Sequence, residues 1–225
     1  MNTLSWKKTA AAGMLLGLAV MLASPAAAFL ERPEDVIEMS CGDNNTEGKK
    51  VLIAYDTKHG STGTILQPVA ETLCADGFQV ELLMARDVED IADYDAVIAG
   101  SPIYDFRWLP GTRRFLKKHR DALAEKEVAL FITCTYLKDE NDTPDRRASA
   151  IDLYVQPILD KFPEIDPPLE VGILSGEFTY AELYPWELIR MKLAGFEEGD
   201  YRNGEKINDW ADAVSEAFGA SLPDE

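Results

Sequence analysis

Lys49-Lys50-Val51-Leu52-Ile53-Ala54-Tyr55-Asp56-Thr57-Lys58-His59-Gly60-Ser61-Thr62 is the stretch whose reading decides the fold. The unbroken apolar run 51–55 suits a strand covered on both faces, as in a parallel sheet. Small, polar and hydroxylated residues around one glycine follow, and then Ile65, Leu66, Val69 and Leu73 recur at helical spacing. A strand, a short polar turn and a helix start is how backbone N–H groups and a helix dipole come to hold a phosphate. The turn contains neither Gly-x-x-x-x-Gly-Lys nor Gly-x-Gly-x-x-Gly, so neither a nucleoside triphosphate nor a dinucleotide is indicated. An ordinary Gly-Ser-Thr helix cap is the other reading of the same residues.

Outward from this junction, strands and helices alternate, the signature of a doubly wound α/β sheet. The spacing predicts a helix over 62–75, stopped at Asp76-Gly77 and bent by Pro68. Strands are expected at 78–83, 96–99, 128–134 and 169–174. Helices are expected at 112–124, at 147–162 despite Pro157, and at 209–218 with Asp209 as its cap. With the first strand this makes a five-stranded parallel sheet in the order 2-1-3-4-5. Its ligand would sit at the strand C-termini, beside the switch between strands one and three.

That placement requires the turns after strands three and four to suit a ring. Gly100-Ser101-Pro102-Ile103-Tyr104-Asp105-Phe106-Arg107-Trp108 follows strand three. Gly100 and Ser101 allow close backbone approach there, and Tyr104, Phe106 and Trp108 offer flat faces for a planar ligand. Thr133-Cys134-Thr135-Tyr136-Leu137 follows strand four with hydroxyls and one more aromatic. The expected cofactor residues are therefore Thr57, Lys58, His59, Gly60, Ser61, Thr62, Ser101, Pro102, Ile103, Tyr104, Thr133, Cys134, Thr135 and Tyr136. Asp105 and Asp139 are candidate acids to disfavour an anionic reduced ring, the other reading being that they cap their turns.

The first turn resembles the FMN phosphate loop of flavodoxins, with Thr57, Gly60 and Thr62 in the matching positions. The two hydroxyls would meet the phosphate, and Gly60 would let the backbone approach it. The resemblance implies a flavodoxin-like fold and FMN as the cofactor. Nothing after the first loop indicates the second phosphate or adenine of FAD. Over 49–218 the chain is similar to the flavodoxin-family, menaquinone-dependent protoporphyrinogen dehydrogenases. The stretches that carry this are Thr57-Lys58-His59-Gly60-Ser61-Thr62, Phe115-Leu116-Lys117-Lys118-His119, Val171-Gly172-Ile173-Leu174-Ser175-Gly176 and the segment 180–193. Simple flavodoxins end soon after the fifth strand, so the resemblance implies a substrate or quinone site built by 180–204, with Tyr184, Trp186, Arg190 and Lys192 as its residues. This chain departs from that family in its export signal and in His59 where the family has an acid. It also departs in the acids Glu177, Glu182, Glu187, Glu197, Glu198 and Asp200 that dilute a basic segment.

Residues 1–28 read as a signal peptide: Lys7-Lys8, the apolar run 10–23, then Ala26-Ala27-Ala28 at a cleavage site before Phe29. Residues 29–48 are polar and read as a flexible arm, 49–219 as the flavodoxin-like domain and 220–225 as a tail. Residues 50–225 suffice for one domain with a substantial core. The whole chain has 22 basic and 40 acidic residues, a formal charge of −18 at pH 7. Losing the signal removes two lysines and no acid, which moves that charge to −20. Nucleic acid and anionic membrane surfaces are thereby disfavoured as partners.

Cys41, Cys74 and Cys134 have no metal-site spacing, and an exported chain can form one disulfide from them. Cys74 falls on the apolar side of the first helix and is simplest as a core residue. No nucleophile with a paired base and no carboxylate pair points to hydrolysis. Three readings stay open: an FMN oxidoreductase with its own small substrate, a periplasmic electron carrier between proteins, and a flavodoxin-like binding protein that has lost FMN. The expected partners are a redox protein or a quinone.

Overall fold

Burial on both faces places residues 51–55 in the middle of a sheet. In the computed structural model of the chain, β2 (Lys50–Tyr55) has all five of these residues at 0% exposure. The structure describes residues 36–42, 48–135, 137, 142–183, 185–193 and 195–219. The expected leader 1–28 and tail 220–225 lie outside the described residues.

β2 runs parallel to β3 (Gln79–Met84) on one side and to β4 (Ala96–Tyr104) on the other. β6 (Glu127–Thr133) and β7 (Glu170–Leu174) continue the sheet beyond β4 in the same direction. The order β3-β2-β4-β6-β7 is the expected 2-1-3-4-5. β1 (Met39–Cys41) adds an antiparallel edge beside β3, and β5 (Arg107–Trp108) folds back on the end of β4.

Alternate residues of each strand serve opposite layers. Val51, Ile53 and Tyr55 pack with Ile65, Val69 and Leu73 of α1 (Ser61–Ala75) and with Trp210, Val214 and Phe218 of the C-terminal helix. Leu52, Ala54, Leu130 and Ile132 face the other layer, which holds Phe115 and Leu116 of α2 (Pro110–Lys118), Leu123 of α3 (Arg120–Leu123), Ala150 of α4 (Pro144–Ala150), and Ile158 and Leu159 of α5 (Gln156–Leu159). Beyond β7, an antiparallel ribbon of β8 (Glu177–Phe178) and β9 (Gly199–Asp200) brackets α6 (Pro185–Leu193). The chain closes with α7 (Gly204–Gly219).

Four expectations need correction. Part of the 29–48 arm is docked: Met39–Cys41 pairs with β3, Cys41 is bridged to Cys74 of α1, and the buried Tyr55 hydroxyl accepts from Ile37 N (3.1 Å) and donates to Ile37 O (2.7 Å). A short edge strand carries no periodicity to betray it. The continuous helix expected over 147–162 is three pieces, with a wide π turn at Ile151–Val155 between α4 and α5. Pro157 explains this, because it has no N–H and its ring opposes the carbonyl one turn back.

The helix expected over 112–124 begins at Pro110 and breaks at His119. The last helix starts at Gly204 instead of at Asp209. Its first turn is capped by Asn203, whose Oδ1 accepts from Lys206 N at 3.1 Å, and Asp209 is an exposed interior residue.

Candidate functional site

The turn after β2 is fastened from below by Asp56, a buried carboxylate. Its Oδ1 accepts from Thr57 N (3.0 Å), and its Oδ2 accepts from Gly111 N (2.7 Å) in the first turn of α2. Glycine is required at 111, since a Cβ there would fall 2.3 Å from Asp56 Oδ2. The carboxylate thus ties the turn to the N-terminus of a neighbouring helix, where negative charge is favoured. Gly60 has φ +85°, the left-handed conformation that only glycine adopts freely, and its N–H donates to Thr57 Oγ1 at 3.0 Å.

No side chain caps α1 at this end, which leaves N–H groups of its first turn for another acceptor. Thr62 is 1% exposed and its Oγ1 has no hydrogen-bond partner among the described residues; His59 Nε2 is in the same condition. Burial, and secondarily the charge of Lys58, hold the His59 imidazole below its usual pKa, so it is neutral at pH 7. An orphaned hydroxyl beside a helix start is what an anion site presents when described without its anion.

The turn after β4 is a two-residue hairpin in which Asp105 (φ +48°) and Phe106 (φ +60°) are both left-handed. Several expected contributors here serve the scaffold instead. A Cβ on Gly100 would meet Phe131 O at 2.3 Å, so this glycine admits β6, not a ligand. Ser101 is fully buried, and its Oγ accepts from Leu109 N at 2.8 Å just ahead of α2. Trp108 is 3% exposed with its indole N–H bonded to Tyr154 O (2.8 Å), which makes it core and not a flat face for a ring. Phe106 is 81% exposed and borders the ligand cavity, as expected of it.

The loop residues open on a cavity of about 670 Å³, a size ordinary for cofactor sites. Thr57, Lys58, His59, Ser61 and Thr62 line one end, Pro102, Ile103 and Tyr104 another, and Thr133, Cys134 and Thr135 the floor. Tyr136, Tyr184 and Asp139 lie outside the described residues.

The remaining wall comes partly from the expected 180–204 segment, through Leu183, Met191 and Phe196 around α6, and partly from residues that the pattern did not single out: Arg146, Tyr154 and the β8 stretch. Arg190 and Asp105 both line the cavity, and Arg190 donates to Asp105 Oδ1 at 2.5 Å, so this acid is ion-paired and half exposed. Trp186 and Lys192 are not on the wall; Trp186 is 45% exposed and Lys192 sits 4.9 Å from the Tyr180 ring centre.

One acid is misplaced by composition alone. Glu187, counted among the charges that dilute the segment, is 0% exposed, and its Oε1 accepts from both Lys58 Nζ and the Tyr104 hydroxyl. Lys58 Nζ also lies 3.7 Å from the Tyr104 ring centre, so cation, phenol and carboxylate form one cluster between the two loops and α6.

A model of the flavodoxin domain matches residues 52–203. No curated protein matches the chain. Among solved structures, the flavodiiron core of a Synechocystis protein has TM-score 0.51 at 13% identity, over 77% of this chain and 36% of its own. Rubredoxin:oxygen oxidoreductase of Desulfovibrio gigas has TM-score 0.46 at 20% identity, over 80% and 38%. Two-electron reduced flavodoxin of Megasphaera elsdenii has TM-score 0.49 at 16% identity, over 74% and 98%. The chain thus spans less than two-fifths of the first two proteins, and at these identities the likeness is one of fold.

Proposed function

The chain belongs to the flavodoxin domain family, and from that premise we propose that it is an FMN-dependent oxidoreductase acting on a small reduced substrate of its own. FMN is the cofactor of this family, and the cleft fits it. The first turn of α1 with Thr57, Ser61 and Thr62 would hold the phosphate, and the orphaned Thr62 hydroxyl is the donor left for it. Tyr104 and the 133–135 turn would border the ring. When bound, FMN supplies the redox chemistry, taking two electrons from a substrate and returning them to an acceptor such as a quinone. The chain's own residues bind, orient and shield: Leu183, Met191 and Phe196 add apolar wall, and Arg146 brings positive charge to a cavity in an acidic protein.

The observation that carries this reading is that wall. A carrier between proteins works through an exposed ring edge, whereas here Gly176 to Thr179, Leu183, Arg190, Met191 and Phe196 add a wall beside the space beyond the two loops. A porphyrinogen-like substrate with quinone as acceptor is the specific form we favour, because the 180–193 stretch resembles the protoporphyrinogen dehydrogenases. We also propose that the chain works after export, and the Cys41–Cys74 disulfide supports an oxidising compartment.

Replacing residues 181–199 by a short Gly-Ser link tests the enzyme reading. FMN binding should survive while turnover of porphyrinogen with menadione collapses. Wild-type rates with both small molecules and redox proteins in the truncated chain would overturn it in favour of a carrier.

A further inference from the structure

We propose that Glu187 is a positioning residue that makes closure of the α6 wall conditional on the two loops that receive FMN. The inference rests on the FMN reading above. Glu187 is the buried residue of α6, while Trp186, Ile189 and Leu193 are 45%, 63% and 83% exposed. A surface helix is ordinarily fastened by an apolar stripe; here Leu188 and Met191 are only half-buried, and the one fully buried side chain is a carboxylate.

A buried carboxylate is tolerable only when paired and hydrogen-bonded. The partners are Lys58 from the phosphate turn, 129 residues away in the chain, and Tyr104 from the β4 hairpin. The Arg190–Asp105 pair at the rim is about half exposed on both sides, and such pairs contribute little. An apolar anchor would hold α6 wherever the loops stood. A carboxylate holds it only when the ammonium and the phenol are both in place.

Two consequences follow. Whatever orders Lys58 and Tyr104 orders α6, so flavin binding and α6 closure are linked reciprocally. Glu187 also shares the Lys58 ammonium with any phosphate in the turn, which lowers the preference for FMN over riboflavin.

Hydrogen exchange of the 185–193 amides, with and without each flavin, tests this in the full-length protein. In the wild type, saturating FMN should slow exchange by about tenfold or more. In Glu187→Gln that protection should fall to about twofold or less while FMN still binds, and the FMN-over-riboflavin preference should rise about threefold or more. A merely structural role would weaken both flavins alike and leave that ratio unmoved.

Full protection retained in Glu187→Gln, or α6 exchange indifferent to flavin in the wild type, overturns the proposal. If Glu187→Gln does not fold, Lys58→Met and Tyr104→Phe each should speed flavin-free α6 exchange about fivefold, and unchanged exchange in both is equally fatal. A wild type that binds neither flavin sinks the FMN reading and the coupling together. In that case faster flavin-free exchange in Glu187→Gln still identifies the anchor, which tells the two failures apart.

Discussion

Replacing Thr62 by valine separates phosphate binding from stability. The side chain is 1% exposed and its Oγ1 has no partner among the described residues. Valine keeps the shape and removes only the hydroxyl. A hydrogen bond to a charged group contributes about 1.5–3 kcal/mol. At about 1.4 kcal/mol per decade, loss of the phosphate contact should weaken FMN roughly 10- to 150-fold. Riboflavin has no phosphate and should lose about threefold at most.

The flavin-free protein should behave oppositely. A buried hydroxyl without a partner costs about 1–3 kcal/mol, so Thr62→Val should leave stability unchanged or raise it by about 1 kcal/mol. Flavin fluorescence quenching measures the first effect and urea unfolding without flavin the second. Equal losses for FMN and riboflavin would show that the turn does not hold the phosphate. A flavin-free protein weaker by more than about 1 kcal/mol would show that the hydroxyl serves the fold.

Protein recovered from an exporting host should begin at Phe29 by mass spectrometry and carry the Cys41–Cys74 bridge. Cys41→Ser should then cost about 2–4 kcal/mol of stability, from the 33-residue separation closed by the bridge, with FMN affinity unchanged. His59 and His119 are both held below the ordinary value of 6.5, chiefly by burial and next by the neighbouring Lys58 and Lys118. A depressed imidazole pKa favours the neutral form in the fold, so the stability it contributes is present above pH 6.5 and is lost as the pH falls below it. Urea midpoints measured from about pH 7.5 down to about pH 5 should decline, and His59→Gln with His119→Gln should flatten the decline; an identical slope in the double variant would refute the assignment.

Legibility in the sequence followed the range of the interactions involved. Runs such as 51–55 and 128–132 announce their strands because burial on both faces writes itself into consecutive residues. The edge strand Met39–Cys41 was illegible, since its place is set by the distant Tyr55 hydroxyl and the bridge to Cys74. The same divide runs through the site. The turns are legible because they follow strand ends, yet Phe106 and Trp108 are indistinguishable by type: only Arg107 separates them, and strand pairing with Ile103 turns only Trp108 into the core. Glu187 is the sharpest case. Among Glu177, Glu182, Glu197 and Glu198 it reads as one more solvated acid, and its burial depends on an ammonium supplied 129 residues earlier. Local pattern therefore locates where a ligand sits, whereas the charge and hydrogen bonding that would tune it come from pairs with no local signature. That is why variants at Lys58, Tyr104 and Glu187, measured together, say more about this site than any one of its loops.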